Sequence, residues 1–367
     1  MKFLRLAFYV LIAQLVLSGC AGEGVEETSS SSSSEINFDA YVGRNASTRS
    51  SITDIDFLKK DIEIPGNFNA GFGVFAIYRH TDKTIPPLML LNNEHVHWKN
   101  WKGNHPDWGY EHTRYWPSEG SVDFYAFAPH SDVPKLTGPN NFEIDFPANM
   151  SPVDLVYAKA EGKTKTDNPV TFTFKHALVR LGFDITANQK LEEKGAVITV
   201  DKVILYGANE TSGIFLMGGH LNLKTGDWVP YNNNFSWFYT WTPTGKVDGT
   251  NETLEEQQKK GPIYKLSAPQ LDYNTPSIAN EKDSYIFIIP QPMPANFNLK
   301  ITYKVKQGNF VEDVTVYKDL RKVLPEDPFG VGGKAYVFHF KLSLDPVDFS
   351  VTVDGKKRDE VTGGITI

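Results

Sequence analysis

The sequence predicts an all-β protein, two β-sandwiches in tandem behind an exported and lipid-anchored leader. Three observations predict it. Short apolar runs, many alternating with polar residues, recur along the chain from residue 36 onward. Gly 29 and Pro 22 punctuate these runs, aromatic residues reach 13%, and only residues 254–260, inside a polar insertion at 244–261, have helical spacing. The first twenty residues end in the chain's single cysteine behind a basic end and an apolar run.

In the leader, Lys2 and Arg5 form a positive start, and residues 4–17 are apolar apart from Arg5 and Gln14. That is a secretory segment, too short for a stable membrane span. Leu17, Ser18, Gly19 and Cys20 match a bacterial lipobox, so residues 1–19 read as a lipoprotein signal peptide and Cys20 as the lipidation site. The thiol would carry a diacylglyceryl group and the freed amine a further acyl chain such as palmitate. One chain binds a membrane marginally, whereas two or more hold firmly. Ala21 after the cysteine favours the cell outer membrane, and Glu23, Glu26 and Glu27 are similar to a surface-export signal. Residues 20–49 then form the lipidated leader: a serine-rich spacer at 28–35, an alternating strand, and a candidate proteolytic processing site at Arg49–Ser50. In the strand, Ile36, Phe38, Ala40 and Val42 point one way while Asn37, Asp39 and Tyr41 point the other.

The net charge of -7 argues against a nucleic-acid partner. With Cys20 lipidated, no cysteine remains for disulfides, zinc or nucleophilic chemistry, so a large core must hold the exported chain together.

Residues 72–78 and 122–128 are continuous apolar runs, expected as strands covered on both faces. Strand signals return at 141–146, 154–158 and 170–185. The polar stretch 161–168 places a boundary between an N-terminal sandwich at 50–168 and a C-terminal one at 169–367. In the second, residues 197–206, 285–289, 297–305 and 336–344 read as strands, the last two as half-buried antiparallel ones. At 361–367, Val361, Gly363, Ile365 and Ile367 share one face behind the charged run 356–360. Such a strand either folds back or reaches another molecule.

Residues 95–116 concentrate His95, His97, His105 and His112 with Trp98, Trp101, Trp108 and Trp116. His95 and His97 share one side of a strand, a spacing open to zinc, but no carboxylate cluster with ligand spacing accompanies them, so no metal or other cofactor is assigned. The tryptophans are candidates for stacking on a sugar ring. The plainer expectation is a structured loop capping the first sandwich. His176, in an apolar segment, reads as a hydrogen-bonded structural histidine, and residues 330–333 (Gly-Val-Gly-Gly) as a turn. No enzymatic signature is present.

Several blocks together resemble a known family: Leu17–Cys20, Thr48-Arg49-Ser50 after the alternating strand, Phe-Gly-Val-Phe-Ala-Ile-Tyr at 72–78, Tyr115-Trp116-Pro117 before Val-Asp-Phe-Tyr-Ala-Phe-Ala-Pro at 122–129, Asp-Leu-Val-Tyr-Ala at 154–158, and Phe-Thr-Phe-Lys-His-Ala-Leu at 172–178. They are similar to the fimbrillin family of Bacteroidales, the Mfa-like type V pilus proteins. The resemblance implies two transthyretin-like sandwiches, lipoprotein export, and assembly into surface fimbriae after cleavage by an Arg-specific protease. It implies other fimbrial subunits as partners, with Ile36–Val42 as a removable leader strand and Val361, Ile365 and Ile367 of the next subunit as the candidate donor strand. Two further hypotheses stand beside it: a non-polymerising outer-membrane lipoprotein that binds a host glycan or protein receptor, and an envelope enzyme.

Overall fold

A computed structural model describes residues 34–42, 53–60, 63–64, 68–101, 105–146, 153–187, 195–210, 213–216, 218–231, 236–237, 239–241, 264–265, 285–324, 328–342 and 348–353. Apart from a one-turn helix at Ile55–Leu58 and two 3-10 turns, the regular structure among these residues is β.

Seven strands form the first sheet: β1 (Phe38–Val42), β2 (Phe72–Arg79), β3 (Leu88–Lys99), β4 (Asp107–Gly109), β5 (Ser121–Ala128), β6 (Val156–Lys163) and β7 (Val170–His176). Their order is β1-β7-β6-β5-β2-β3-β4. The central strands β2 and β5 are the continuous apolar runs, and both their faces are buried because a core lies on each side. Phe72, Val74, Ala76, Phe124, Ala126 and Ala128 enter one core, shared with the inward side chains of β1 and β7. Phe75, Ile77, Tyr125 and Phe127 enter a second, shared with Leu155, Leu221, Phe287 and Ile289.

The later strands build further sheets. β8 (Val179–Ala187), β12 (Ala335–Leu342) and β13 (Asp348–Val353) lie in one, and β9 (Val197–Tyr206), β10 (Asn298–Gln307) and β11 (Phe310–Asp319) in another. Leu299, Ile301, Tyr303 and Val305 of β10 meet Tyr336, Phe338, Phe340 and Leu342 of β12 in a third core. A three-stranded sheet joins Glu143–Phe146, Gly219–Asn222 and Trp228–Pro230.

Three expectations are corrected here. β12 pairs parallel with β8 and antiparallel with β13, so it is not a purely antiparallel strand; alternation reports which face is buried, not the neighbour's direction. The expected break after residue 168 falls inside the first sheet. β7 pairs with β1 and β6, and the change of sheet comes at Ala177–Leu178. Residues 95–116 are not simply a capping loop, because β3 and β4 run through them as strands of the sheet. Register shifts between β2 and β3, with Asn93 at φ 62°, break the period of two that would have exposed β3 in the sequence. The turn at 330–333 packs tightly: a Cβ on Gly332 would lie 2.5 Å from the Ala177 carbonyl oxygen, and Gly333 has φ +77°.

Candidate functional site

β1 stands at the end of the seven-stranded order, with β7 as its only strand neighbour among the described residues. The two run parallel, Phe38 opposite Val170, Ala40 opposite Phe172 and Val42 opposite Phe174. Alternation then decides where everything goes. The Val170 N–H donates to the Asn37 carbonyl at 2.8 Å, so the odd-numbered backbone groups of β1 face β7. The even-numbered groups face the other edge. There the Ile36 N–H donates to the Arg114 carbonyl at 2.8 Å, and the Tyr110 hydroxyl donates to the Ile36 carbonyl at 2.9 Å. The Trp116 N–H reaches the Ser34 carbonyl at 2.8 Å. Further along, the Ala40 N–H is taken by the Asp39 carboxylate at 2.8 Å, a charged residue covering an open edge.

The side chains divide in the same way. Ile36, Phe38, Ala40 and Val42 are 0%, 3%, 9% and 3% exposed, while Asp39 and Tyr41 face solvent. Phe38 sits among Tyr110, Phe124 and Phe172 with ring centroids at 5.4, 5.7 and 5.8 Å. Phe172 in turn meets Phe72 at 5.8 Å, and Phe72 meets Trp108 at 5.0 Å. Phe38 thus completes a line of rings through the core. Two groups that sequence reading did not single out hold the entry of β1. Asn168 accepts from the Asn37 N–H at 2.8 Å and donates to the Glu35 carbonyl at 3.0 Å. Burial pushes the Tyr110 phenol up to about 12, so it remains a donor to Ile36. Both lie far from β1 in sequence, and no local pattern marks either.

The four tryptophans separate. Trp108 and Trp116 are buried in the same core as β1, against Phe72 and Phe124. As ring-stacking surfaces they are corrected, since β4 and the following segment turn them inward. Trp98 and Trp101 are half-buried. The Lys59 ammonium lies 4.1 Å from the Trp98 ring and the Lys99 ammonium 4.2 Å from that of Trp101. Trp101, His105, Asp107 and Tyr110 border a cleft of about 480 Å³ beside Glu35–Asn37.

The histidines stack instead of converging. His95 lies 4.5 Å from His97 and 3.9 Å from His130, the latter pair at an interplanar angle of 7°. Among the described residues, no group of three or more His, Cys, Asp or Glu side chains is placed to hold a metal. Burial, aided by the neighbouring His95, pushes His130 down to about 3. His112 pairs with Glu94 at 3.1 Å. His176 is hydrogen-bonded to Asp154 at 3.1 Å, as its apolar setting requires. Burial pulls its pKa down, but the bond to Asp154 and its charge outweigh that and leave it raised. Cys20, Arg49, Ser50, Val361, Ile365 and Ile367 lie outside the described residues.

A family model described as fimbrillin-like matches residues 65–355, well over half of the chain. A search of curated proteins gave no match. Among solved structures, a candidate cell adhesion protein from Bacteroides uniformis is similar at 18% identity, covering 87% of this chain and 96% of that one, with a TM-score of 0.47. A tip fimbrial protein from Porphyromonas gingivalis is 11% identical over 79% of this chain and 96% of its own, with a TM-score of 0.30. A fimbrial assembly protein from Parabacteroides distasonis is 10% identical over 77% and 92%, with a TM-score of 0.31.

Proposed function

This chain belongs to the fimbrillin-like family, and on that premise we propose that it is a subunit or adhesin of surface fimbriae, delivered as an outer-membrane lipoprotein through Cys20 and assembled by strand exchange. Family membership supports the fimbrial role. The observation that carries the mechanism is the edge segment Ile36–Val42: β1 and the Ile36 just before it bury four side chains, and β1 is laddered to one strand, β7, among the described residues. Removing it would bare Phe172 and Phe174 and leave the β7 edge unpaired, which is an acceptor for another chain's strand. Burying Ile36, Phe38 and Val42 stabilises the docked strand by roughly 5–9 kcal/mol at about 1.5–3 kcal/mol each. Spontaneous loss is therefore rare, and cleavage at Arg49–Ser50 is the trigger. The donor is the 361–367 segment of another subunit.

The test treats purified wild type, Arg49→Ala and a variant lacking residues 361–367 with an Arg-specific protease, then reads filaments by electron microscopy and ladders on gels. Wild type should polymerise, Arg49→Ala should stay monomeric and folded, and the deletion should stop chain growth. Equal filament formation by all three would overturn the proposal. The lipid anchor has its own check: Cys20→Ala should lose palmitate labelling, and a variant that still labels would remove the anchor from the reading.

A further inference from the structure

The side chains that β1 buries have an order of sizes, and that order gives a replacement strand a direction. Resting on the strand-exchange reading above, we infer that residues 361–367 of a second copy enter the groove antiparallel to β7, opposite in direction to the strand they replace. Ile367 then takes the Ile36 position, Ile365 that of Phe38, Gly363 that of Ala40, and Val361 that of Val42.

From Ile36 through β1 the groove accepts a fully buried isoleucine, then Phe38 between Tyr110, Phe124 and Phe172, then the methyl of Ala40, then Val42. The inward series of the donor is Val361, Gly363, Ile365, Ile367. Laid in the direction of β1, it puts Gly363 where the Phe38 ring was, leaving a hole between three aromatic rings. It also puts Ile365 where only a methyl is packed. Underfilling and overfilling a close-packed site are both unfavourable. Laid in reverse, the large residue Ile365 meets the aromatic pocket, the smallest residue meets the smallest site, and valine replaces valine.

The ladder favours the same direction. β1 and β7 form a parallel ladder, the weaker kind per residue, and an antiparallel donor would exchange it for the stronger. The outward donor residues Thr362, Gly364 and Thr366 are uncharged, so the incoming strand carries no counterpart of Asp39 to shield its own edge. Residues 354–360 separate the donor from β13 and reach about 23 Å at about 3.3 Å per extended residue, enough to extend away from their own sheet.

Engineered cysteines distinguish the directions. In β7, Thr171 stands opposite Asp39 and Thr173 opposite Tyr41, and both are exposed. The middle donor residue Gly364 comes opposite Thr171 in either direction, so Thr171→Cys with Gly364→Cys reports the strand in the groove. Thr173 meets Thr362 only in the antiparallel arrangement and Thr366 only in the parallel one. Directly opposed strand residues are within disulfide reach. The full-length protein, with Cys20→Ser to leave only the engineered thiols, is processed by an Arg-specific protease, oxidised mildly and run on non-reducing gels. We expect covalent ladders from Thr171→Cys/Gly364→Cys and from Thr173→Cys/Thr362→Cys, and none from Thr173→Cys/Thr366→Cys. A ladder from the Thr366 pair in place of the Thr362 pair overturns the direction while leaving strand exchange intact. Filaments by electron microscopy with no ladder from the Gly364 pair overturn the occupant. Absence of filaments from the protein carrying only Cys20→Ser overturns strand exchange itself, and the inference with it.

Discussion

Phe38→Ala asks whether β1 detaches by itself. Phe38 is 3% exposed, and its ring meets three others at 5.4–5.8 Å. Truncating a buried phenylalanine to alanine costs about 3–5 kcal/mol, the removed ring plus the hole it leaves. If β1 leaves as a unit while the rest of the sheet stays, that whole cost comes off the local opening free energy. The Val170 N–H, bonded to the Asn37 carbonyl at 2.8 Å, reports the opening. At about 1.4 kcal/mol per tenfold, its native-state hydrogen exchange should accelerate roughly 10²- to 10⁴-fold. Because detachment of one short strand exposes little surface, exchange at Val170 should depend only weakly on denaturant, unlike exchange in the β2–β5 ladder. An acceleration below tenfold, or a denaturant dependence at Val170 as steep as at Phe124, would mean that β1 leaves only with the entire sheet. A removable plug would then be ruled out.

His176 and His130 give opposite pH slopes in urea midpoints. His176 has its pKa raised by Asp154 against the pull of burial, so its contribution is complete below about 6.5 and fades as pH rises through its folded value. Asp154→Asn should therefore destabilise more at pH 5.5 than at pH 9, and an equal loss at both would count against the pairing. His130 is held down to about 3, whereas the unfolded chain takes up its proton near 6.5, so stability falls as pH drops between these values. His130→Phe should flatten that acid loss, and an unchanged acid slope would locate its origin elsewhere.

What the sequence made legible follows from periodicity. The four inward positions from Ile36 to Val42 could be read because alternation with polar residues is clean there, and the two-sided burial of β2 and β5 because their apolar runs are continuous. Strand direction could not be read, and the two parallel pairings among the described residues, β1 with β7 and β8 with β12, went unseen because facing and direction are independent. β3 was hidden by register shifts that put successive apolar residues out of phase. β11 was hidden because Phe310, Val311 and Tyr317 are exposed, so neither face follows a simple in-out rule. The clamp on β1 was invisible for a different reason. Tyr110 and Asn168 meet it across 74 and 131 residues of sequence.

The position of the proposed cut explains how one broken peptide bond changes the fate of a strand whose contacts it does not touch. β1 is held by β7, Asn168 and the 110–116 segment up to Val42. The chain is fixed again at Thr53, whose N–H donates to the Asp154 carboxylate at 3.2 Å and whose hydroxyl donates to the Asp154 carbonyl at 2.6 Å. Arg49 lies between these two points in sequence. While the link is intact, a strand that slips out remains tethered near its groove at an effective concentration on the order of millimolar, and it rebinds before any competitor arrives. Cleavage removes that advantage while leaving the ladder of β1 with β7 in place. Against micromolar free leader, a thousandfold fall in effective concentration corresponds to about 4 kcal/mol. That is comparable to the contribution of one or two of the buried β1 side chains. A donor with a matching size order and the stronger ladder then competes with a strand that has lost its tether. On this reasoning the protease supplies commitment, and the groove, through Phe38's pocket and Ala40's narrow site, supplies selectivity for the strand that follows.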